Sequence, residues 1–167
     1  AAIVGLGGIG ISLARRLTAF SMAVCAVTAH PERARPADLG LISLLGTDHL
    51  GDVLSTSDFV FLCLPLTAET RGIVGAAELA LLPDGACLVN AGRGALIDEA
   101  ALLAVLATGR DLRVGLDVFW EEPLPGGHRL LEHPSVLATP HIAGITDASY
   151  GAIASRVAAI LGRMARA

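Results

Sequence analysis

A chain of 167 residues suits one domain of roughly the commonest size. Hydrophobic residues make up 53%, charged residues 17% and aromatics 4%, so an ample core must be built mainly from Ala, Leu, Val and Ile. The net charge is −4, and with no basic run and no interleaved aromatics nothing points to nucleic acid as a partner.

Mean hydropathy is +0.65, which raises the question of a membrane. The longest apolar runs, such as Phe59 to Leu66, fall far short of the ~18 residues a spanning helix needs. They suit buried strands of a parallel sheet, and no membrane partner is expected. Cys25, Cys63 and Cys87 fall inside expected buried strands and share no Cys-x-x-Cys spacing. An odd number of thiols at core positions fits a reducing cytoplasm, and no metal site is expected. No charged-then-apolar signal pattern opens the chain. It opens directly on strand residues, as an excised domain would.

In chain order, AAIVG reads as a strand and Ile9 to Ser21 as a helix with apolar residues at Ile9, Leu13, Leu17 and Phe20. Ala23 to Thr28 is a second strand. A loop marked by Pro31 and Pro36 leads to a weak strand near Leu41 to Leu44, then a short helix over Asp48 to Leu54. DFVFLCLPL carries the fourth strand. A helix over Gly75 to Leu82 is stopped by Pro83-Asp84-Gly85, and Ala86 to Asn90 is the fifth strand. Asp98 caps a helix from Glu99 to Thr108, with Gly109 as its stop. Arg113 to Phe119 and Ser135 to Pro140 supply two more strands, and an amphipathic helix runs from about Asp147 to Arg166. Strands alternating with helices of this length predict an α/β fold, a doubly wound parallel sheet of the Rossmann dinucleotide-binding kind. No repeat, linker or second domain is visible.

The first chemical motif is GLGGIG, Gly5 to Gly10. Gly5 ends a strand, Gly7 lets backbone approach a pyrophosphate, and Gly10 allows close packing of helix on strand. The helix starting there offers free N–H groups and the positive end of its dipole to phosphates. In such folds an acidic residue at the end of the second strand accepts hydrogen bonds from the adenine ribose. This chain has Thr28 there, followed by His30, Arg33 and Arg35 with Glu32 among them. No carboxylate at Thr28 repels a 2′-phosphate, and Arg suits phosphate. The cofactor expected is NAD or NADP, with these residues leaning to NADP.

Three further side chains carry acid–base and anion-binding chemistry. Arg93 stands just after the ACLVN strand between Gly92 and Gly94, where the carboxyl ends of parallel strands form a ligand crevice. Its planar fork matches a carboxylate. Among five histidines, His30, His49, His128 and His133 sit in loop-like polar contexts expected at the surface, whereas His141 follows Pro140 at a strand end. Histidine exchanges a proton readily near neutral pH, and a neighbouring carboxylate favours its imidazolium form. Glu122 and Glu121 are both candidates for that carboxylate, and spacing does not choose between them.

Taken together, NAGRGALIDEAAL, GLDVFWEEPLP and TPHIAGIT, downstream of the glycine turn, resemble the cofactor-binding half of the D-isomer-specific 2-hydroxyacid dehydrogenases. The resemblance covers nearly the whole chain. It implies hydride transfer between NAD(P) and a small 2-oxo or 2-hydroxy acid. In that family the catalytic glutamate directly precedes the proline, which places the role on Glu122 beside His141, with Arg93 binding the substrate carboxylate. It also implies cofactor contacts at Gly5, Gly7, Gly8, Ile9, Gly10, Thr28, Leu64, Pro65, Thr70, Ala91, Arg93, Asp117, His141 and Gly144, with Asp117 on the nicotinamide carboxamide. Residues 1–167 would then be the dinucleotide-binding domain, and the substrate domain, largely preceding it, would be absent. A homodimer is implied for the full-length protein. Some members of the superfamily act as corepressors, so a non-catalytic NAD(H)-sensing module with a protein partner is the alternative. Motifs of short-chain and lactate-type dehydrogenases are lacking.

Overall fold

The computed structural model describes residues 1–33 and 39–165. Arg35 and Pro36 lie outside the described residues, as does the side chain of Arg33, so the proposed arginine contacts to a 2′-phosphate fall there.

Seven parallel strands form one sheet among these residues: β1 (Ala2–Val4), β2 (Cys25–Val27), β3 (Ser43–Leu45), β4 (Phe59–Leu62), β5 (Ala86–Asn90), β6 (Leu112–Leu116) and β7 (Val136–Ala138). Their spatial order is β3-β2-β1-β4-β5-β6-β7, which extends the Rossmann order by one strand. The order reverses between β1 and β4, so β2 and β4 both pair with β1 in parallel. A crevice opens at such a reversal, beyond the carboxyl ends of the strands.

The strands are shorter than their apolar runs. β4 stops at Leu62, before Cys63-Leu64-Pro65, and β6 stops at Leu116, leaving Asp117 to Phe119 for the loop above the sheet. β3 starts at Ser43, two residues later than expected, in register with Cys25. Along β5 residues alternate between buried and half-buried: Ala86, Leu88 and Asn90 point into the core while Cys87 and Val89 face the other side. All three cysteines are therefore half-buried, less enclosed than a run of strand residues suggests.

The helices are α1 (Gly8–Ala19), α2 (Leu50–Ser55), α3 (Ala76–Leu81), α4 (Glu99–Ala107), α5 (Arg129–Glu132) and α6 (Asp147–Met164). α1 buries Ala14 and Leu17 against Ile3 and Ala26 of β1 and β2. Leu54, Leu79, Leu102 and Leu130, from α2, α3, α4 and α5, pack with Val60, Leu88 and Val114 on the opposite face. Each fully buried leucine contributes about 1.5–3 kcal/mol relative to exposure. As expected, Asp98 caps α4, its side chain accepting from the N–H of Ala101 at 2.8 Å. The one-turn α5 has no sequence signal beyond Arg-Leu-Leu-Glu and is too short for periodicity to reveal.

Among the described residues two apolar surfaces stay open. Across β4 to β7, on the side away from α3 and α4, Phe59 and Leu137 are exposed and Cys87 and Val89 only half-buried. α6 buries no residue, and Ile153, Val157 and Ile160 are exposed along it. The expected amphipathic helix is present, but its apolar stripe has no core beneath it. A parallel sheet is normally covered on both faces.

Candidate active site

The glycine turn is shaped by close contact. Gly5 has φ +99, and its N–H donates to the carbonyl of Val27 at 2.8 Å. A Cβ at Gly5 would meet the Cys63 carbonyl at 2.8 Å, and one at Gly10 would run into the carbonyl oxygen of Gly5. These two glycines bring β1, β4 and α1 together. Gly7 differs, because nothing lies within 4 Å of a Cβ built there. Its missing side chain opens space above the turn and is not needed for packing. α1 begins one residue earlier than its apolar periodicity indicated, at Gly8, with no side-chain cap and no acidic residue in its first turn. Free N–H groups at Gly8, Ile9 and Gly10 are thus available to an anion.

Two clefts flank the turn. One, of about 540 Å³, runs from Gly5 and Gly7 past Thr28 and His30 to Leu64, Pro65 and Thr70. The other, of about 350 Å³, is lined by Ile9, Leu64, Pro65, Ala91, Gly92 and Arg93. Together they form a continuous path from the end of β2, over the turn, to the end of β5. Thr70 lies on it, but its hydroxyl is already engaged, donating to the Pro65 carbonyl at 2.8 Å and accepting from Thr67 N–H at 2.7 Å. Glu69 also lines the first cleft, a carboxylate that reading the end of β2 alone overlooks. The Thr67 hydroxyl donates to Glu69 Oε2 at 2.7 Å, and that bond leads the causes that hold the carboxyl below its ordinary value.

Arg93 is extended backbone just past β5, and its guanidinium donates to the Gly92 carbonyl at 2.6 Å. Fully buried Asn90 pins this loop, accepting from Gly92 N–H at 3.0 Å and donating to the Arg93 carbonyl at 2.8 Å. Gly94 lies so close to the backbone of Phe119 that no side chain fits between them. The Arg93 loop thereby packs on the loop after β6.

That second loop carries Glu122. Trp120 Nε1 donates to the Ile97 carbonyl at 2.7 Å, and Phe119 N–H donates to Glu122 Oε1 at 3.0 Å. Farther along, His128 Nε2 and Glu99 Oε1 are 3.0 Å apart, so His128 is a half-buried clasp to α4 and not the surface residue expected. The other oxygen, Glu122 Oε2, accepts from His141 Nδ1 at 2.6 Å. It is Glu122, and not the adjacent Glu121, that the fold lays on the imidazole. The His141 hydrogen bond first, then that from Phe119, with the charges of His141 and Arg93 added, hold the Glu122 carboxyl below the ordinary glutamate range. With Nδ1 committed to a carboxylate, Nε2 is the ring nitrogen left to exchange a proton with a ligand. The pair lines a third cleft, of about 520 Å³, with Phe119, Leu124, Leu131 and Pro140.

Asp117 is buried, and its carboxylate accepts from Thr139 Oγ1 and from the N–H groups of Ile142 and Ala143. Gly144 lies exposed just beyond. Sequence spacing held no signal for Asp117 reaching this turn, because its partners lie on another strand end.

These features define a dinucleotide-type crevice with the hydrogen-bonded His141–Glu122 pair at its far end. Over residues 1–143 the sequence matches the family described as D-isomer specific 2-hydroxyacid dehydrogenase, NAD binding domain, and the chain belongs to that family. Among curated relatives, glyoxylate/hydroxypyruvate reductase B of Citrobacter koseri is 43% identical over 152 residues, covering 86% of this chain and 44% of that protein. The same-named protein of Pectobacterium atrosepticum is 39% identical over 97% of this chain and 51% of its own length. The chain thus spans about half the length of the relatives it matches. A D-isomer specific 2-hydroxyacid dehydrogenase from Xanthobacter autotrophicus, solved with NADPH and MES, superposes with a TM-score of 0.79 at 39% identity, over 89% of this chain and 46% of that one. An NADPH-dependent glyoxylate/hydroxypyruvate reductase from Sinorhizobium meliloti, solved with NADP and sulfate, gives 0.83 at 33% identity, over 99% and 52%.

Proposed function

We propose that this chain is the dinucleotide-binding and acid–base half of an NAD(P)-dependent D-2-hydroxyacid dehydrogenase that reduces a small 2-oxo acid. The observation that carries the reading is the 2.6 Å His141–Glu122 hydrogen bond at the carboxyl edge of the sheet, within reach of the Arg93 charge. The residues present fit a dinucleotide. The space above Gly7 and the uncapped start of α1 suit a pyrophosphate, and the cleft past Thr28 suits an adenosine. When bound, the nicotinamide supplies or accepts the hydride.

The chain's own residues do the rest. Arg93 holds the substrate carboxylate and orients the carbonyl carbon toward the crevice. His141 gives the proton on Nε2 to the carbonyl oxygen, completing the 2-hydroxy acid, and takes it back in the oxidative direction. Glu122 keeps the imidazole oriented through Nδ1 and balances the charge of the imidazolium.

The NADPH and NADP held by the two solved relatives support the lean to NADP, while Glu69 in the adenosine cleft counts against a 2′-phosphate. The roughly half-length coverage of the relatives supports a separate substrate domain in a longer parent enzyme. The open stripe on α6 and the open face of β4 to β7 support a homodimer of that enzyme. Among the described residues no helix is long and apolar enough to cross a membrane, and a cytoplasmic location is proposed on the free cysteines. The decisive assay is reduction of glyoxylate, pyruvate and hydroxypyruvate by the parent enzyme and by its His141→Ala variant. Turnover that His141→Ala abolishes, with cofactor binding kept, supports the assignment. An inactive wild type that instead binds a protein partner in response to NAD(H) would favour the sensing module.

A further inference from the structure

We propose that Asp117 is the positioning residue for His141, anchoring the turn after β7 so that the imidazole meets Glu122. This rests on His141 and Glu122 being the acid–base pair.

Asp117 sits one residue past β6 and is only 7% exposed. Its Oδ1 accepts from Thr139 Oγ1 at 2.6 Å and from Ile142 N–H at 2.9 Å, and its Oδ2 accepts from Ala143 N–H at 2.9 Å. The three donors bracket His141 on both sides in sequence. The turn needs such an anchor for two reasons. His141 has φ +54, a left-handed conformation that a non-glycine residue keeps only where its surroundings enforce it. Pro140, His141 and Ile142 are also all exposed, so apolar packing does little to hold them.

Glu122 springs from the same strand end a few residues beyond Asp117. Both members of the pair are therefore referenced to the end of β6, Glu122 through its own loop and His141 through Asp117. The chemistry suits an ionised carboxylate. Burial opposes the charge, but the bonds from Thr139, Ala143 and Ile142 outweigh it, with help from His141, and keep the carboxyl below its ordinary value. An asparagine there would turn its NH₂ toward at least one of these donors and break the set. Three of the carboxylate's about four acceptor sites are occupied, and the one left, on Oδ2, is compatible with the nicotinamide contact that the family resemblance implies.

The test uses Asp117→Asn, Thr139→Val and Thr139→Ser, with His141→Ala as reference. The first readout is the ¹³C NMR titration of the Glu122 carboxyl in the 167-residue chain. The groups acting on it are His141 from the β7 turn and Arg93 from the β5 loop, besides Phe119 N–H. Loss of the His141 bond should raise its midpoint toward the ordinary glutamate range. His141→Ala should do so directly, and Asp117→Asn and Thr139→Val should do so by releasing the turn. Thr139→Ser, which keeps the hydroxyl donor, should restore the wild-type titration. In the parent enzyme the same two disruptive variants should lower kcat by up to about a hundredfold, as misplacement of a reacting group does, and Thr139→Val should do so with little change in dinucleotide affinity.

An unmoved Glu122 titration in both Asp117→Asn and Thr139→Val would overturn the proposal. So would weakened dinucleotide binding in Asp117→Asn beside an unchanged kcat in Thr139→Val, since that pattern marks a cofactor contact alone. If Asp117→Asn does not fold, the two Thr139 variants decide the matter alone. If His141→Ala itself leaves the Glu122 titration and turnover unchanged, the acid–base assignment has failed, and not merely the positioning role.

Discussion

Exchanging Glu122 for Gln removes one negative charge 2.6 Å from His141 Nδ1 while leaving an acceptor oxygen of similar shape. A hydrogen bond to a charged group is worth about 1.5–3 kcal/mol. The His141 and Glu122 side chains are 47% and 36% exposed, so solvent screening brings the pair down toward the ~1 kcal/mol ceiling of exposed ion pairs. At about 1.4 kcal/mol per factor of ten, that is about a three- to tenfold loss of rate. Reduction draws its proton from His141, whose ring the Glu122 carboxylate orients and whose charge it balances. In Glu122→Gln the rate of 2-oxo acid reduction should therefore fall by about three- to tenfold, with dinucleotide affinity kept. Initial rates of NAD(P)H consumption by the parent enzyme at saturating cofactor would measure it. A loss in Glu121→Gln with none in Glu122→Gln would refute the reasoning, and so would a faster Glu122→Gln enzyme.

Gly7→Val should abolish dinucleotide binding with little change in Tm, because a Cβ there meets no protein atom and occupies ligand space alone; equal calorimetric affinities for wild type and variant would remove the pyrophosphate assignment. Thr28→Asp should shift the ratio of dissociation constants toward NAD, by offering a carboxylate to the ribose hydroxyls and repelling a 2′-phosphate, and an unchanged ratio would place the adenosine elsewhere. The 167-residue chain by itself should turn over 2-oxo acids at a negligible rate, because Arg93 and His141 both lie on exposed walls where water screens them and orientation worth roughly 7–11 kcal/mol is incomplete. Full activity from this chain alone would contradict the proposal of a separate substrate domain.

Much of the fold was legible because its signals are local. Alternating apolar runs and turn residues place every strand of the sheet, and the glycine turn announces itself because close backbone approach demands glycine at both Gly5 and Gly10, within six residues. Strand ends were overestimated wherever an apolar run outlasts its hydrogen-bonded partner, as Leu64-Pro65 does at the mouth of the crevice. Arg93, Glu122 and His141 stood out as residue types at strand ends. Spacing, however, left Glu121 and Glu122 equivalent, and only family resemblance separated them in the sequence.

What the tertiary structure decided is everything that depends on strand ends and helix starts far apart in sequence meeting. Glu122 Oε2 on His141 Nδ1, Asp117 gripping Thr139, Ile142 and Ala143, and His128 clasped to Glu99 all join residues 19 to 29 positions apart. Neighbouring parallel strands carry such residues to one edge, and no periodicity or composition encodes which carboxylate then faces which donor. The open stripe of α6 is the converse case. Its sequence is that of a helix with an apolar face, and only the assembled fold shows that none of this domain's core lies beneath it.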